Sequence, residues 1–174
     1  MKKIILLSLG LIIAAVCFAQ TDPAVGFWLS VDDNSGNVTA GWQIYIENGE
    51  LRGRILSVAN EPKGVRATNC NASYRGFPLP GAVNQMEVAG PPWIFGLSRR
   101  AAGDWRNGNI IDPYDGRMYG CRVTFHAAGT RSGNRNFTVD TLEVRGEIGL
   151  GIGRSQYWRR STEGVASSLW PMSN

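Results

Sequence analysis

The chain has 174 residues, 18% of them charged and 43% hydrophobic, with 22 glycines, 8 prolines and a formal charge of +4. That composition excludes a long coiled coil and an acidic disordered chain. Part of the basicity belongs to Lys2 and Lys3 at the N-terminus; once they are discounted, nucleic-acid binding loses its main support.

Chain order begins with an address. Lys2 and Lys3 precede an apolar run over residues 4–16 and the small-residue site Cys17-Phe18-Ala19, the layout of a secretory signal peptide cut before Gln20. The run is shorter than the roughly 20 apolar residues that a membrane-spanning helix needs. A lipid-modified N-terminus at Cys17 is the competing reading, but Val16 stands where a lipobox carries Gly, Ala or Ser. The sequence therefore predicts export to the periplasm or cell envelope, a signal peptide over 1–19, and no membrane span after cleavage. One domain over 20–160 and a tail over 161–174 follow, Trp170 being either an anchor docked on the domain or part of a frayed end.

Beyond residue 20, turn signals recur at short intervals and no long stretch repeats at helical spacing, so strands are expected. The first covers residues 27–31. The clearest element is a hairpin over 41–58 around Asn48-Gly49, a pair that readily takes the positive φ values of a type I′ turn. Closing that turn sets Glu47 opposite Glu50, Ile46 opposite Leu51, Ile44 opposite Gly53 and Trp42 opposite Ile55. One face is apolar; the other sets Tyr45 against Arg52 and Gln43 against Arg54. Residues 60–108 resist assignment because Pro78, Pro80, Pro91 and Pro92 interrupt any strand, although Trp93-Ile94-Phe95 can form a short strand or a loop anchor.

A second hairpin joins 109–111 to 118–125 through Asp112-Pro113-Tyr114-Asp115-Gly116. There Pro113 presets φ, Asp112 bonds forward to backbone amides and Gly116 takes the left-handed position. The loop lacks the further oxygen ligands of a calcium site, and no spacing of cysteines or histidines suggests another metal. Strands continue at 142–145 and 154–160, separated by Gly149-Leu150-Gly151-Ile152-Gly153. With no Lys-Ser, Lys-Thr or helix after it, this run reads as a bend or bulge and not as a phosphate loop. Repeated short strands of this kind imply a barrel or a sandwich.

Cys70 and Cys121 remain after cleavage. In an oxidising compartment they can form one disulfide, closing a loop of about 50 residues and stabilising by roughly 4 kcal/mol on chain-entropy grounds. The alternative keeps Cys121, with Tyr119 and Val123 two positions to either side, as a free core thiol.

Four sets of residues carry a resemblance. These are Gly26-Phe27-Trp28 with Asp32-Asp33 and Gly36; Trp105-x-x-Gly108-x-Ile110-x-Asp112-Pro113-x-x-Gly116-x-x-Tyr119; Leu142-x-Val144-Arg145-Gly146; and Gly153-Arg154-Ser155-Gln156-x-Trp158-x-Arg160. Together they resemble the bacterial exported proteins catalogued as domain of unknown function 2147. The resemblance implies an all-β fold, a single antiparallel up-and-down β-barrel similar to lipocalins and fatty-acid-binding proteins. The segment from Cys70 to Tyr74 departs from the pattern, so the resemblance implies no disulfide. Barrels similar to lipocalins commonly start with Gly-x-Trp and close that end with an arginine stacked on the indole, an attraction of roughly 0.5–2 kcal/mol. The resemblance thus implies a closing role for Trp28, with Arg145, Arg154 and Arg159 as the candidate cations.

Three classes of function remain. The first is non-catalytic binding of a small apolar or amphipathic, lipid-like molecule, with Trp42, Ile44, Ile46, Leu51, Ile55, Tyr119, Val123 and Phe125 lining the interior. Its competitor is an interior that those side chains fill. Arg52 and Arg54 stand near one rim, yet the hairpin register turns both outward. The second is an envelope interaction protein using Arg99, Arg100, Trp93 and Trp170 against a protein partner or an anionic surface. The third is a hydrolase of envelope material with two carboxylates sharing acid and base roles. Turn formation already explains Asp112 and Asp115, pairing with Arg145 explains Glu143 and Glu147, no serine occupies a nucleophile elbow, and His126 ends a strand. No catalytic residue, cofactor or metal is assigned, and the reading favours the binder.

Overall fold

The computed structural model describes residues 21–149 and 152–171. The expected signal peptide 1–19 with Cys17, the cleavage point at Gln20 and the centre of the glycine run at 150–151 lie outside the described residues.

The strands are β1 (Gly26–Val31), β2 (Val38–Glu47), β3 (Glu50–Val58), β4 (Ile94–Ala101), β5 (Asp104–Ile111), β6 (Met118–His126), β7 (Arg131–Ser132), β8 (Arg135–Asn136), β9 (Thr141–Glu147) and β10 (Gly153–Ser161). All except β7 and β8 close into an antiparallel barrel in the order β1-β10-β9-β6-β5-β4-β3-β2. The small β7–β8 hairpin is an excursion between β6 and β9; otherwise each wall strand pairs with its neighbour in the chain, and β1 pairs with β10 to close the ring. Closure leaves no open sheet edge in the wall.

Asn48 and Gly49 both take positive φ, 53° and 80°, and the β2–β3 register is the one the turn dictates: Glu47 opposite Glu50, Ile46 opposite Leu51, Trp42 opposite Ile55. Over residues 94–108, bulges break the alternation of the wall. The pairing steps from Gly53–Ile94 to Leu51–Leu97, so β4 carries one extra residue, with Gly96 at φ 71°. It steps again from Gly108–Cys121 to Trp105–Val123, with Asn107 at φ 60°. Residues three apart, Ile94 with Leu97 and Trp105 with Gly108, are therefore buried together.

One end of the barrel is plugged. Arg160 of β10 pairs directly with Trp28 of β1, and its guanidinium lies 4.1 Å from the indole centroid and 5.4 Å from the Phe125 ring. Its nitrogens also donate to the carbonyls of Val25 and Pro23. This corrects the expected cations, and strand parity supplies the reason. Arg159 has the opposite parity and is exposed; Arg145 faces out from β9 and pairs with Glu147 at 3.0 Å; Arg154 shares the parity of Arg160 but stands at the far end of β10, paired with Asp33.

Beside this closure, Asp22 accepts hydrogen bonds from Ala24 N (3.0 Å), Trp105 Nε1 (3.1 Å), Gly103 N (3.2 Å) and Arg99 Nε (3.2 Å). Burial opposes its charge, yet these donors outweigh burial and hold the carboxyl below the usual range.

Residues 59–93 form a strap beside β4. Phe77 packs edge-on against Phe95 (5.5 Å) and near Trp93 (5.9 Å), and Tyr74 donates to the carbonyl of Gly116 (2.6 Å). The expected disulfide is absent: Cys70 and Cys121 are both free and buried. Cys70 faces the carbonyls of Asp112 and Pro113, whereas Cys121 sits on β6 between Gly108 of β5 and Gly146 of β9, so the thiols occupy different sites. Burial pushes both thiols up in pKa.

After β10 the chain turns into a short helix, α1 (Glu163–Ala166), capped by Thr162, and docks on the outer wall. Ser57 donates to the carbonyl of Ala166 (2.6 Å) and accepts from Leu169 N (3.2 Å), and Trp170 packs partly buried against the core.

Candidate functional site

At the end away from Arg160 the barrel is open. Its cavity, of about 830 Å³, falls within the range of roughly 300–1,000 Å³ typical of small-molecule sites. The floor is a stacked pair, Trp42 of β2 and Trp158 of β10, with ring centroids 4.7 Å apart. Both indole N–H groups are held by polar neighbours: Trp42 Nε1 donates to Ser30 Oγ (3.2 Å) and Trp158 Nε1 to Gln156 Oε1 (3.2 Å). Those bonds fix the orientation of two large rings. Above them the walls are mostly apolar, supplied by Ile55, Val58, Ile110 and Val144.

Of the residues expected to line the interior, Trp42, Ile55 and Tyr119 do so. Ile44, Leu51 and Val123 point inward but are fully buried in the filled half below the floor. Phe125 belongs to the closure, 6.3 Å from Trp28. Ile46 shares the face of Ile44 and pairs with Leu51, but one rung from the β2–β3 turn it is 44% exposed and does not line the cavity. Sequence reasoning missed Trp158, Gln156 and Val144. The signal for the first two was the alternation Arg154-x-Gln156-x-Trp158-x-Arg160, which places all four on one face once Arg160 is set on Trp28, and Val144 follows as the β9 partner of Gln156.

The mouth is formed by the turn after β1, the segment after β3, the β5–β6 turn and the β9–β10 connection. Arg154 lines the cavity and donates through Nε (3.1 Å) and Nη2 (2.8 Å) to one oxygen of Asp33. Asp112 accepts from Tyr114 N (2.8 Å), and the Tyr114 hydroxyl donates to Glu61 (3.0 Å). Burial, followed by the Glu61 carboxylate, drives the Tyr114 phenol well above its usual pKa. Asp115 accepts from Arg117 N (2.7 Å) and from the Tyr119 hydroxyl (3.2 Å), so Asp112 and Asp115 shape the turn.

Other residues singled out from the sequence lie elsewhere. Arg52 pairs with Glu47 and Glu50, and Arg54 bonds Gln43 (2.8 Å) on the outer wall. Glu143 accepts from Ser155 (2.6 Å) and meets His126 at 2.9 Å. Burial opposes its charge, but these bonds hold it below the usual range. Trp93 is fully buried, its indole N–H bonded to Val88 O, while Arg99 is tied to Asp22. No group of three or more His, Cys, Asp or Glu among the described residues could hold a metal, and no helix among them is long and apolar enough to cross a membrane.

Comparison with known proteins adds two findings. A family model described as "Uncharacterized protein conserved in bacteria (DUF2147)" matches residues 26–160. A solved Helicobacter pylori protein, described as belonging to the lipocalin family, superposes with a TM-score of 0.59 at 17% identity, over 84% of this chain and 88% of that one. At that identity the likeness concerns the fold. No curated protein matches the chain.

Proposed function

Because the chain belongs to this bacterial DUF2147 family, we propose that it is an exported, non-catalytic binder that holds a small apolar or amphipathic molecule in the open half of its barrel. The observation that carries the reading is the cavity of about 830 Å³ above the Trp42–Trp158 pair, closed below and open to solvent above. An apolar molecule entering it exchanges water for hydrocarbon contact, a gain of about 25 cal/mol for each Å² removed from water. The likeness to a lipocalin-family structure supports the same reading at the level of fold. Export is supported by Lys2, Lys3, the apolar run 4–16 and the Cys17-Phe18-Ala19 site.

Native mass spectrometry of protein drawn gently from its own cell envelope tests both parts. The expected result is a species whose N-terminus is Gln20, carrying a non-covalent adduct that is lost on unfolding. A protein retained in the cytosol with residues 1–19 attached overturns export. A bare mass, together with unchanged tryptophan emission across a series of alkyl probes, overturns the binder.

A further inference from the structure

The charges at the mouth are unevenly satisfied, and the difference bears on the ligand's head group. Among the described residues Arg154 is the one cation lining the cavity, and two of its three guanidinium nitrogens, Nε and Nη2, are engaged by Asp33. Lys63, Arg66, Arg75 and Arg117, the other cations of the loops at this end, do not line it. Across the ring, Glu61 and Asp112 both line the cavity and are bridged by the length of Tyr114, which gives its hydroxyl to one and its backbone N–H to the other. No cation is within ion-pair distance of either carboxylate among the described residues. Asp33 and Arg154, adjacent on the β1–β10 side, neutralise one another; Glu61 and Asp112 flank β4 on the facing side.

We propose that the head group accepted at this mouth is an organic cation, and that the ligand is an amphiphile ending in an ammonium or amidinium with its apolar portion seated on Trp42 and Trp158. This rests on the cavity being a binding site. A carboxylate or phosphate head would meet two carboxylates that already lack a counter-charge, and at Arg154 it would share with Asp33 a guanidinium whose charge that carboxylate already neutralises. A cation meets the reverse situation, with free lone pairs on both acids at the edge of a low-dielectric cavity, where charge pairs interact more strongly than in bulk water.

The test uses decylammonium, decanol and decanoate, which share one chain and differ in head group, titrated against the intact protein and followed by tryptophan emission. Decylammonium is expected to bind at least about tenfold more tightly than decanol, with decanoate weakest, and the gap to narrow in about 0.5 M salt. The double variant Glu61→Gln, Asp112→Asn keeps acceptor oxygens for Tyr114 and is expected to lose the preference for the amine while still binding decanol. Should the pair unfold, each single variant, expected to remove part of the preference, carries the same comparison. Decanol or decanoate binding as tightly as the amine, or a preference that survives loss of both acids, overturns the cationic head group and leaves the cavity reading standing. If none of the three binds, the cavity reading itself falls.

Discussion

Arg160 gathers a cation–π contact with Trp28, a second ring in Phe125 and the carbonyls of Pro23 and Val25 into one side chain. The ring contact contributes about 0.5–2 kcal/mol, and removing the guanidinium also strips two backbone carbonyls of a donor. Arg160→Met is therefore expected to lower the unfolding free energy by about 1–3 kcal/mol in urea titration, while Arg159→Met, one residue away on the exposed face, changes it by less than about 0.5 kcal/mol. Equal losses would sink the assignment. Asp22 gives a pH signature to the same end of the barrel. Its folded pKa lies below the usual aspartate value, so the unfolded chain binds the proton more readily. Its stabilisation is thus fully present above the unfolded value and is lost as pH falls through the folded one. Glu143 and Asp32, also lowered, add to the same acid limb. Asp22→Asn is expected to start less stable at neutral pH and to show a shallower loss between roughly pH 5 and pH 1, measured as the urea midpoint against pH; parallel curves would refute the role.

At the scale of elements, the hairpins were legible where turn chemistry and strict alternation coincided. Asn48-Gly49 set a register by counting, the 112–116 turn joined 109–111 to 118–125, and both strand pairs form around them. The stretch from Trp93 to Gly108 was not, because Gly96 and Asn107 each absorb an extra residue and shift the apolar spacing from two to three. A search for period two cannot see such a wall. The strap's prolines hid its role for a different reason: its order comes from contacts such as Tyr74 to Gly116 and Phe77 to Phe95, far apart in sequence. The tail illustrates the same limit, since its anchor is a bare patch of wall. A Cβ on Gly41 would lie 1.8 Å from the Ala166 carbonyl oxygen. Gly41→Ala is accordingly expected to push α1 off the barrel, breaking the Ser57 bond to Ala166 and speeding protease cleavage after Ser161 severalfold, with far-ultraviolet circular dichroism unchanged. A tail as resistant as in the parent would show that the docking is loose enough to absorb a methyl group.

Over the whole molecule, one continuous wall encloses two kinds of interior. Below the Trp42–Trp158 pair, Trp28, Trp105, Ile44, Leu51, Leu97 and Leu142 fill the barrel to the point of full burial; above it the same strands surround open volume. The sequence shows inward-facing residues but not where filling stops, because that depends on which of them meet at the same height across the ring. The two halves should therefore answer substitution with opposite signs. Leu97→Ala removes packed volume and is expected to cost about 2–5 kcal/mol. Val144→Phe adds volume toward the lumen, where overpacking has space to relax, and is expected to leave the urea midpoint unchanged or raised while weakening decanol binding by at least about tenfold. Tryptophan emission reads the binding and urea titration the stability. Val144→Phe that unfolds the chain would mean the upper half is as tightly packed as the lower, whereas a stable variant with intact decanol binding would place the probe somewhere other than the lumen.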